Sequence, residues 1–129
     1  MDLLLSIKPE YVEKIITGEK RIEYRRRIFK NLAIERIYIY ATNPEKTIIG
    51  YFLFDKVITD TPAELWEHTN SYGGIKKTNY FNYFNGRETA YGIEINTFIK
   101  FEKPFDPYLM DAKFYPPQSY KYLEKRIFE

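Results

Sequence analysis

Pro9 and Gly18 bracket a helix of barely more than two turns, and strand-like segments flank it on both sides. Pro9 suits a first helical turn, where its missing N–H has no intrahelical partner to lose. Glu10 beside it favours the positive end of the helix. Val12, Ile15 and Ile16 fall on one face, with Glu13, Lys14 and Thr17 directed away. Gly18 suits the position after the helix, where a left-handed backbone is needed. Before the helix, Leu3 to Ile7 is a short apolar run of the kind that makes a buried strand. After it, Ile22 and Tyr24 alternate with Arg21, Glu23, Arg25 and Arg27. The apolar pair should therefore point to the core, leaving Glu23 among arginines on the other face. Lys20 shares the parity of the apolar pair.

The second of these strands carries the chain's charge asymmetry. Six of the eleven positions from Lys20 to Lys30 are Lys or Arg, against the single acid Glu23. The whole chain has a net charge of only +2, so it is no polycation, and the local surplus points to one anionic ligand site. Nucleic acid is the first candidate, because guanidinium forks match phosphate geometry. Clustered Arg25, Arg26 and Arg27 would also blunt a sheet edge.

Further along, residues 28–35 read as a loop and Arg36 to Ala41 as an alternating strand. Asn43-Pro44 marks a turn. Thr47 to Thr59 reads as one long strand, with a bulge or bend at Gly50. Thr61-Pro62-Ala63-Glu64 is a capping-box pattern that opens a helix carrying Leu65 and Trp66. Tyr72-Gly73-Gly74 breaks it. Thr78 is placed to cap a second short helix, stopped by Gly86, whose Tyr80, Phe81, Tyr83 and Phe84 serve packing. Thr89–Ile95 and Asn96–Lys103 read as strands, and Pro116-Pro117-Gln118-Ser119-Tyr120 as the opening of a last helical turn. Strands with two inserted helical segments imply a small, strongly bent sheet or barrel.

At 129 residues the chain is expected to be a single domain, residues 1–129. No window approaches the ~18 apolar residues a membrane helix requires, and the N-terminal run is too short and too charged for a signal peptide. With no cysteine there is neither a disulfide framework nor a thiolate metal site, which fits the cytoplasm. His68, the only histidine, has no partners at metal-ligand spacing and reads as a surface residue. No metal or cofactor is expected. The 13 Tyr and 10 Phe are mostly core and core edge, though Tyr40 and Tyr91 are candidate stacking surfaces for bases.

A helix beginning at Lys8-Pro9 and followed by Gly18-Glu19-Lys20-x-x-Glu23-x-Arg25 resembles the ASCH family of the PUA-like superfamily. Other fragments agree in order and spacing: Tyr40-Ala41, Ile49-Gly50-Tyr51-Phe52, Thr61-Pro62-x-Glu64-Leu65-Trp66, Ala90-Tyr91-x-Ile93 and Pro116-Pro117-Gln118-Ser119-Tyr120. The resemblance covers about residues 3–123. It implies an α+β fold, a small PUA-like mixed or antiparallel β-barrel with short helices packed around it. It also implies a cleft near the first helix and a role with RNA. Some small ASCH proteins look like acetylcytidine amidohydrolases with a Lys, a Thr three residues later and a distal Glu. Lys20 matches the lysine, but Glu23 stands at the threonine, and the distal Glu falls near Gly73, with Glu64 and Glu67 close by in sequence. Other family members look like ribonucleases.

The expected partner is RNA or a nucleotide-like ligand, held in a basic cleft by Lys8, Lys20, Glu23 and Arg25, with Gln118 and Ser119 on the far wall. Lys20 and Glu23 are the candidates for acid–base work if burial moves their pKa values toward neutrality. A plain ion pair is the competing role. A regulatory RNA-binding protein and a small hydrolase of modified nucleosides or RNA both fit the sequence, as does a protein-interaction module. The oligomeric state stays open.

Overall fold

The computed structural model describes residues 1–123. The domain boundary expected at 129 lies outside these residues. Strand β1 (Asp2–Ile7) leads into helix α1 (Pro9–Thr17). Gly18 ends the helix in the left-handed conformation, φ +82°, and its N–H donates to the Ile15 carbonyl. The chain continues through β2 (Ile22–Arg25), β3 (Arg36–Ala41), β4 (Thr47–Leu53) and β5 (Val57–Asp60). Helix α2 (Pro62–Thr69), a 3-10 turn (Asn70–Tyr72) and α3 (Lys77–Tyr83) follow. Strands β6 (Ala90–Glu94) and β7 (Phe98–Phe105), a short α4 (Pro107–Met110) and β8 (Tyr120–Leu123) complete the described chain.

The strands form two sheets, so the fold is α+β as expected. The larger has the order β7-β4-β3-β1-β8 and the smaller the order β2-β6-β5. β1 and β3 pair in parallel, Leu3 opposite Ile37. Parallel neighbours need a long crossover, and here α1 and β2 supply it. The crossover is what carries β2 into the smaller sheet.

Leu3 to Ile7 is apolar without alternation because β1 is covered on both sides. Leu3, Leu5 and Ile7 pack with Val12 and Ile15 of α1, Ile37 and Ile39 of β3, and Ile93 near the end of β6. Leu4 faces the other way, into a cluster with Tyr38, Tyr40, Ile48 and Leu123. Phe101, Phe105 and Phe114 close that side. A third cluster joins Ile22 and Tyr24 of β2 to Leu65, Tyr80, Phe84 and Ala90. The alternation in β2 thus directs its apolar residues toward α2 and α3, as the sequence implies.

Three elements differ from the sequence reading. Thr47–Thr59 is two strands in different sheets, because Phe54 N–H donates to the Glu35 carbonyl and the chain turns the corner there. The helix expected to be capped by Thr78 starts two residues earlier, with Lys76 extended at the cap and its carbonyl accepting from Tyr80 N–H. Tyr120 opens a strand, not a helical turn: Ser6 N–H takes the Ser119 carbonyl, and Tyr120–Leu123 pair with Leu5–Asp2. The irregularity at Gly50 is present as a register shift between Ile48 and Gly50 where β4 meets β7. Thr61 caps α2 by accepting from Glu64 N–H at 3.2 Å. Among the described residues no helix is long and apolar enough to cross a membrane.

Candidate functional site

The first sheet, α1 and the edge strand β2 meet at the residues the basic stretch singles out. Glu23 and Arg25 occupy the face of β2 that turns away from α2 and α3. Lys20 precedes the strand, so strand parity does not govern it, and its side chain reaches the same place. Lys20 Nζ lies 3.5 Å from Glu23 Oε1, and Glu23 Oε2 lies 2.9 Å from Arg25 Nη2. One carboxylate therefore bridges two cations, leaving a surplus of one positive charge. All three are buried, with relative exposures of 2% for Lys20, 9% for Glu23 and 8% for Arg25. A solvated charged face, which alternation in an edge strand implies for Glu23 and Arg25, is not what forms.

The surroundings explain how the charges are tolerated. Lys20 Nζ donates to the Gly73 carbonyl at 2.8 Å and stands 5.0 Å and 5.4 Å from the ring centres of Tyr24 and Tyr11. These rings offer their negative faces to the ammonium. Tyr24 is itself fixed by a 2.6 Å hydrogen bond with the Thr69 hydroxyl, whose own proton goes to the Leu65 carbonyl. Burial lowers the Lys20 pKa from its ordinary value, against the opposing pull of Glu23. Burial likewise pushes the Tyr24 phenol up to about 12.

Arg25 ties the site to the far end of the chain. Its Nη2 donates to the Ser6 carbonyl at 2.9 Å and its Nη1 to Ser119 Oγ at 3.1 Å. Ser6 Oγ donates to the Pro117 carbonyl at 2.6 Å, so the Pro117–Ser119 segment is strapped across the end of β1. Three of the five N–H groups of the guanidinium thus have acceptors. The Nε–H is buried and has none among the described residues.

The structure brings Lys20, Glu23, Arg25 and Ser119 together. Lys8 and Gln118 are exposed and make no hydrogen bond to the cluster. The Lys8 carbonyl accepts from Tyr11 and Val12 N–H at the start of α1. Tyr40 is buried in the sheet core, and Tyr91 is partly buried opposite Arg25 on β6. His68 is exposed, 3.9 Å from Glu64 on the same helix. At the position the amidohydrolase resemblance gives to a distal glutamate, Lys20 finds the Gly73 carbonyl. Glu64 and Glu67 are exposed on α2. Among the described residues no three His, Asp or Glu side chains are grouped to hold a metal ion.

Sequence reasoning missed the wall formed by Gly73 and Gly74. The Gly74 carbonyl accepts from Lys14 Nζ at 3.2 Å, beside the Lys20–Gly73 bond. A Cβ on Gly73 would collide with the Tyr24 hydroxyl, and one on Gly74 would come within 2.5 Å of Lys20 Cβ. The adjacent glycines read in sequence only as a helix break, but here they allow backbone to press against both side chains. Ser6 carried no signal at all.

The model of the ASCH domain family matches residues 5–105. A protein of Zymomonas mobilis subsp. mobilis, named an ASCH domain-containing ribonuclease, is 31% identical over 130 residues, which is 96% of this chain and 85% of the relative. The crystal structure of ASCH from Zymomonas mobilis superposes with a TM-score of 0.86 at 30% identity, covering 96% of this chain and 88% of that one. A single-residue variant of that protein gives the same TM-score, with 89% of its chain covered.

Proposed function

The chain belongs to the ASCH domain family, and we propose that it binds single-stranded RNA and cleaves it, with a phosphodiester held at the Lys20–Glu23–Arg25 cluster. The observation that carries this reading is the buried surplus of one positive charge. Burying unbalanced charge is costly, and a phosphodiester brings the one negative charge that balances it. Arg25 Nε–H, buried without an acceptor among the described residues, is the donor still to be used. A charge-assisted bond from it to a phosphate oxygen is of the strong kind.

The named activity of the Zymomonas relative supports cleavage as the chemistry. In this reading Glu23 accepts the proton of a ribose 2′-hydroxyl as its oxygen attacks the adjacent phosphorus. The P–O5′ bond breaks, and Lys20 gives its proton to the departing oxygen. The products are a 2′,3′-cyclic phosphate and a 5′-hydroxyl, and Arg25 holds the non-bridging oxygens as negative charge builds. A lysine with a depressed pKa is the better proton donor near neutrality. In this reading Lys8 and Gln118, both exposed, contact the strand as it enters.

A second reading is binding without turnover, by a cytoplasmic regulator whose ligand is RNA or a nucleotide. The cover over Lys20 favours it, since the Gly73–Gly74 wall must yield before a substrate touches Nζ. In both readings the chain acts as one domain, its two sheets forming a PUA-like barrel around the apolar core shared by β1, β3 and β6.

The test is to incubate the protein with short single-stranded RNA and analyse the termini by mass spectrometry. Cyclic phosphate ends that vanish in a folded Lys20→Ala variant establish cleavage. RNA that is bound but never cut establishes the second reading. Arg25→Ala should weaken binding across sequences and flatten its salt dependence. If a panel of RNAs is neither bound nor cut, both readings fall.

A further inference from the structure

Outside the buried cluster, on the other side of the Gly73–Gly74 wall, lies an open groove of about 250 Å³. Lys14 and Glu19 line it from the end of α1, and Asn70, Ser71, Gly74, Ile75 and Lys76 line it from the turn between α2 and α3. We propose that this groove is an outer subsite for the sugar–phosphate of a flanking nucleotide. The ligand is then an oligonucleotide strand, and a free nucleoside or mononucleotide fills only the inner half. The inference rests on the RNA reading of the Lys20–Glu23–Arg25 cluster.

Three observations support it. First, the charge is right for one phosphodiester: two lysines against Glu19 leave a surplus of one positive charge. Lys14 is 3.6 Å from Glu19 and also donates to the Gly74 carbonyl, so it is held in place from two sides. Lys76 is exposed and has no ion pair among the described residues, which leaves it to the ligand. Second, the groove is small. Sites for drug-sized molecules begin at ~300 Å³, so it suits one sugar–phosphate unit whose base lies elsewhere. Ile75 gives the ribose an apolar surface, and the Ser71 hydroxyl gives it a polar partner.

Third, groove and cluster share a wall one residue thick. Successive carbonyls serve the two sides, Gly73 to Lys20 in the buried cluster and Gly74 to Lys14 in the groove. Adjacent phosphates on one strand fit that arrangement. Arg21 stands beside the wall as a further cation: its backbone N–H donates to the Tyr72 carbonyl at 2.8 Å, and its guanidinium lies 5.0 Å from the Tyr72 ring centre. Arg21 is exposed, so its outer face is available for a base to stack on.

The experiment compares a mononucleotide with a single-stranded tetranucleotide in titrations against the wild type, Ser71→Ala, Lys76→Ala and Arg25→Ala. Both groove positions are exposed, so these variants should fold normally, and circular dichroism checks this. The expected result is that Lys76→Ala weakens the tetranucleotide about tenfold and leaves the mononucleotide unchanged, with Ser71→Ala acting in the same sense. The salt dependence of tetranucleotide binding should also fall by ~0.7 in log–log slope for the lost phosphate contact. If tetranucleotide binding is lost in Arg25→Ala but untouched in both groove variants, the outer subsite is wrong and the inner one stands. Equal weakening of both ligands by Lys76→Ala also overturns the subsite, since Lys76 then acts through its general field. If the wild type binds no tetranucleotide, both proposals fall.

Discussion

Gly74 presses against Lys20 so closely that a Cβ on the glycine would come within 2.5 Å of the lysine Cβ, and its φ is +62°. Gly74→Ala therefore meets both a left-handed backbone and a filled space. The substitution should destabilise the fold by about 1–3 kcal/mol and push the wall off Lys20. Urea denaturation measures the first effect, and RNA affinity the second. An unchanged midpoint would show that the two residues are not packed as described.

Among the described residues Glu23 is the only carboxylate that pairs with the two buried cations. Glu23→Gln leaves Lys20 and Arg25 repelling each other with no counter-charge, and should cost about 3–5 kcal/mol. Combining it with Lys20→Met removes one of the stranded charges. The double variant should then be more stable than the sum of the single effects by at least ~1 kcal/mol. Strict additivity in chemical denaturation would contradict the bridge.

Because burial depresses the Lys20 pKa, the folded state gives up this proton at a lower pH than the unfolded chain does. Below the folded-state value both states are protonated and the burial penalty is fully felt. Between that value and the ordinary 10.5 the unfolded state binds more protons, so stability from this group rises with pH. Tyr24 works in the opposite direction above pH 10, because its phenol is pushed up to about 12 in the folded state. Stability measured from neutrality to pH 10 should therefore climb more steeply in the wild type than in Lys20→Met. Parallel curves would remove Lys20 as the cause.

Tyr24→Phe deletes the hydroxyl that bonds to Thr69 while Thr69 keeps its bond to the Leu65 carbonyl. A loss of about 1 kcal/mol is expected. The vacated space beside Gly73 should also make Gly73→Ala cheaper in the Tyr24→Phe background than in the wild type. Equal costs in the two backgrounds would show that the phenol does not set the glycine requirement.

Local chemistry made the early part of the fold readable. Pro9 and Gly18 mark the limits of α1, the apolar run from Leu3 foretold a buried strand, and the alternation of Ile22 and Tyr24 told which side of β2 meets the core. The corner at Phe54 was not readable, since the hydrogen bond that turns the chain is to Glu35, far away in sequence. Tyr120 misled for the same reason: a strand partner at Leu5 overrides the local turn signal of two prolines. At the site, Lys20, Glu23 and Arg25 were legible because they are near neighbours in a family-like pattern. Ser119 was legible from the same pattern, but the burial was not, because it depends on Gly73 and Ser6, whose identities say nothing about what they cover.

The bond between Arg25 and Ser119 spans 94 residues, and the Lys20–Gly73 bond spans 53. While the ribosome is still making the protein, the cluster lacks the strap that closes over it. Contacts between such distant segments form late, and here the later one waits for β8 to emerge and pair with β1. A chain that cuts RNA would be born next to messenger and ribosomal RNA. Its need for the last described strand keeps the nascent form incomplete until that strand has emerged and paired with β1.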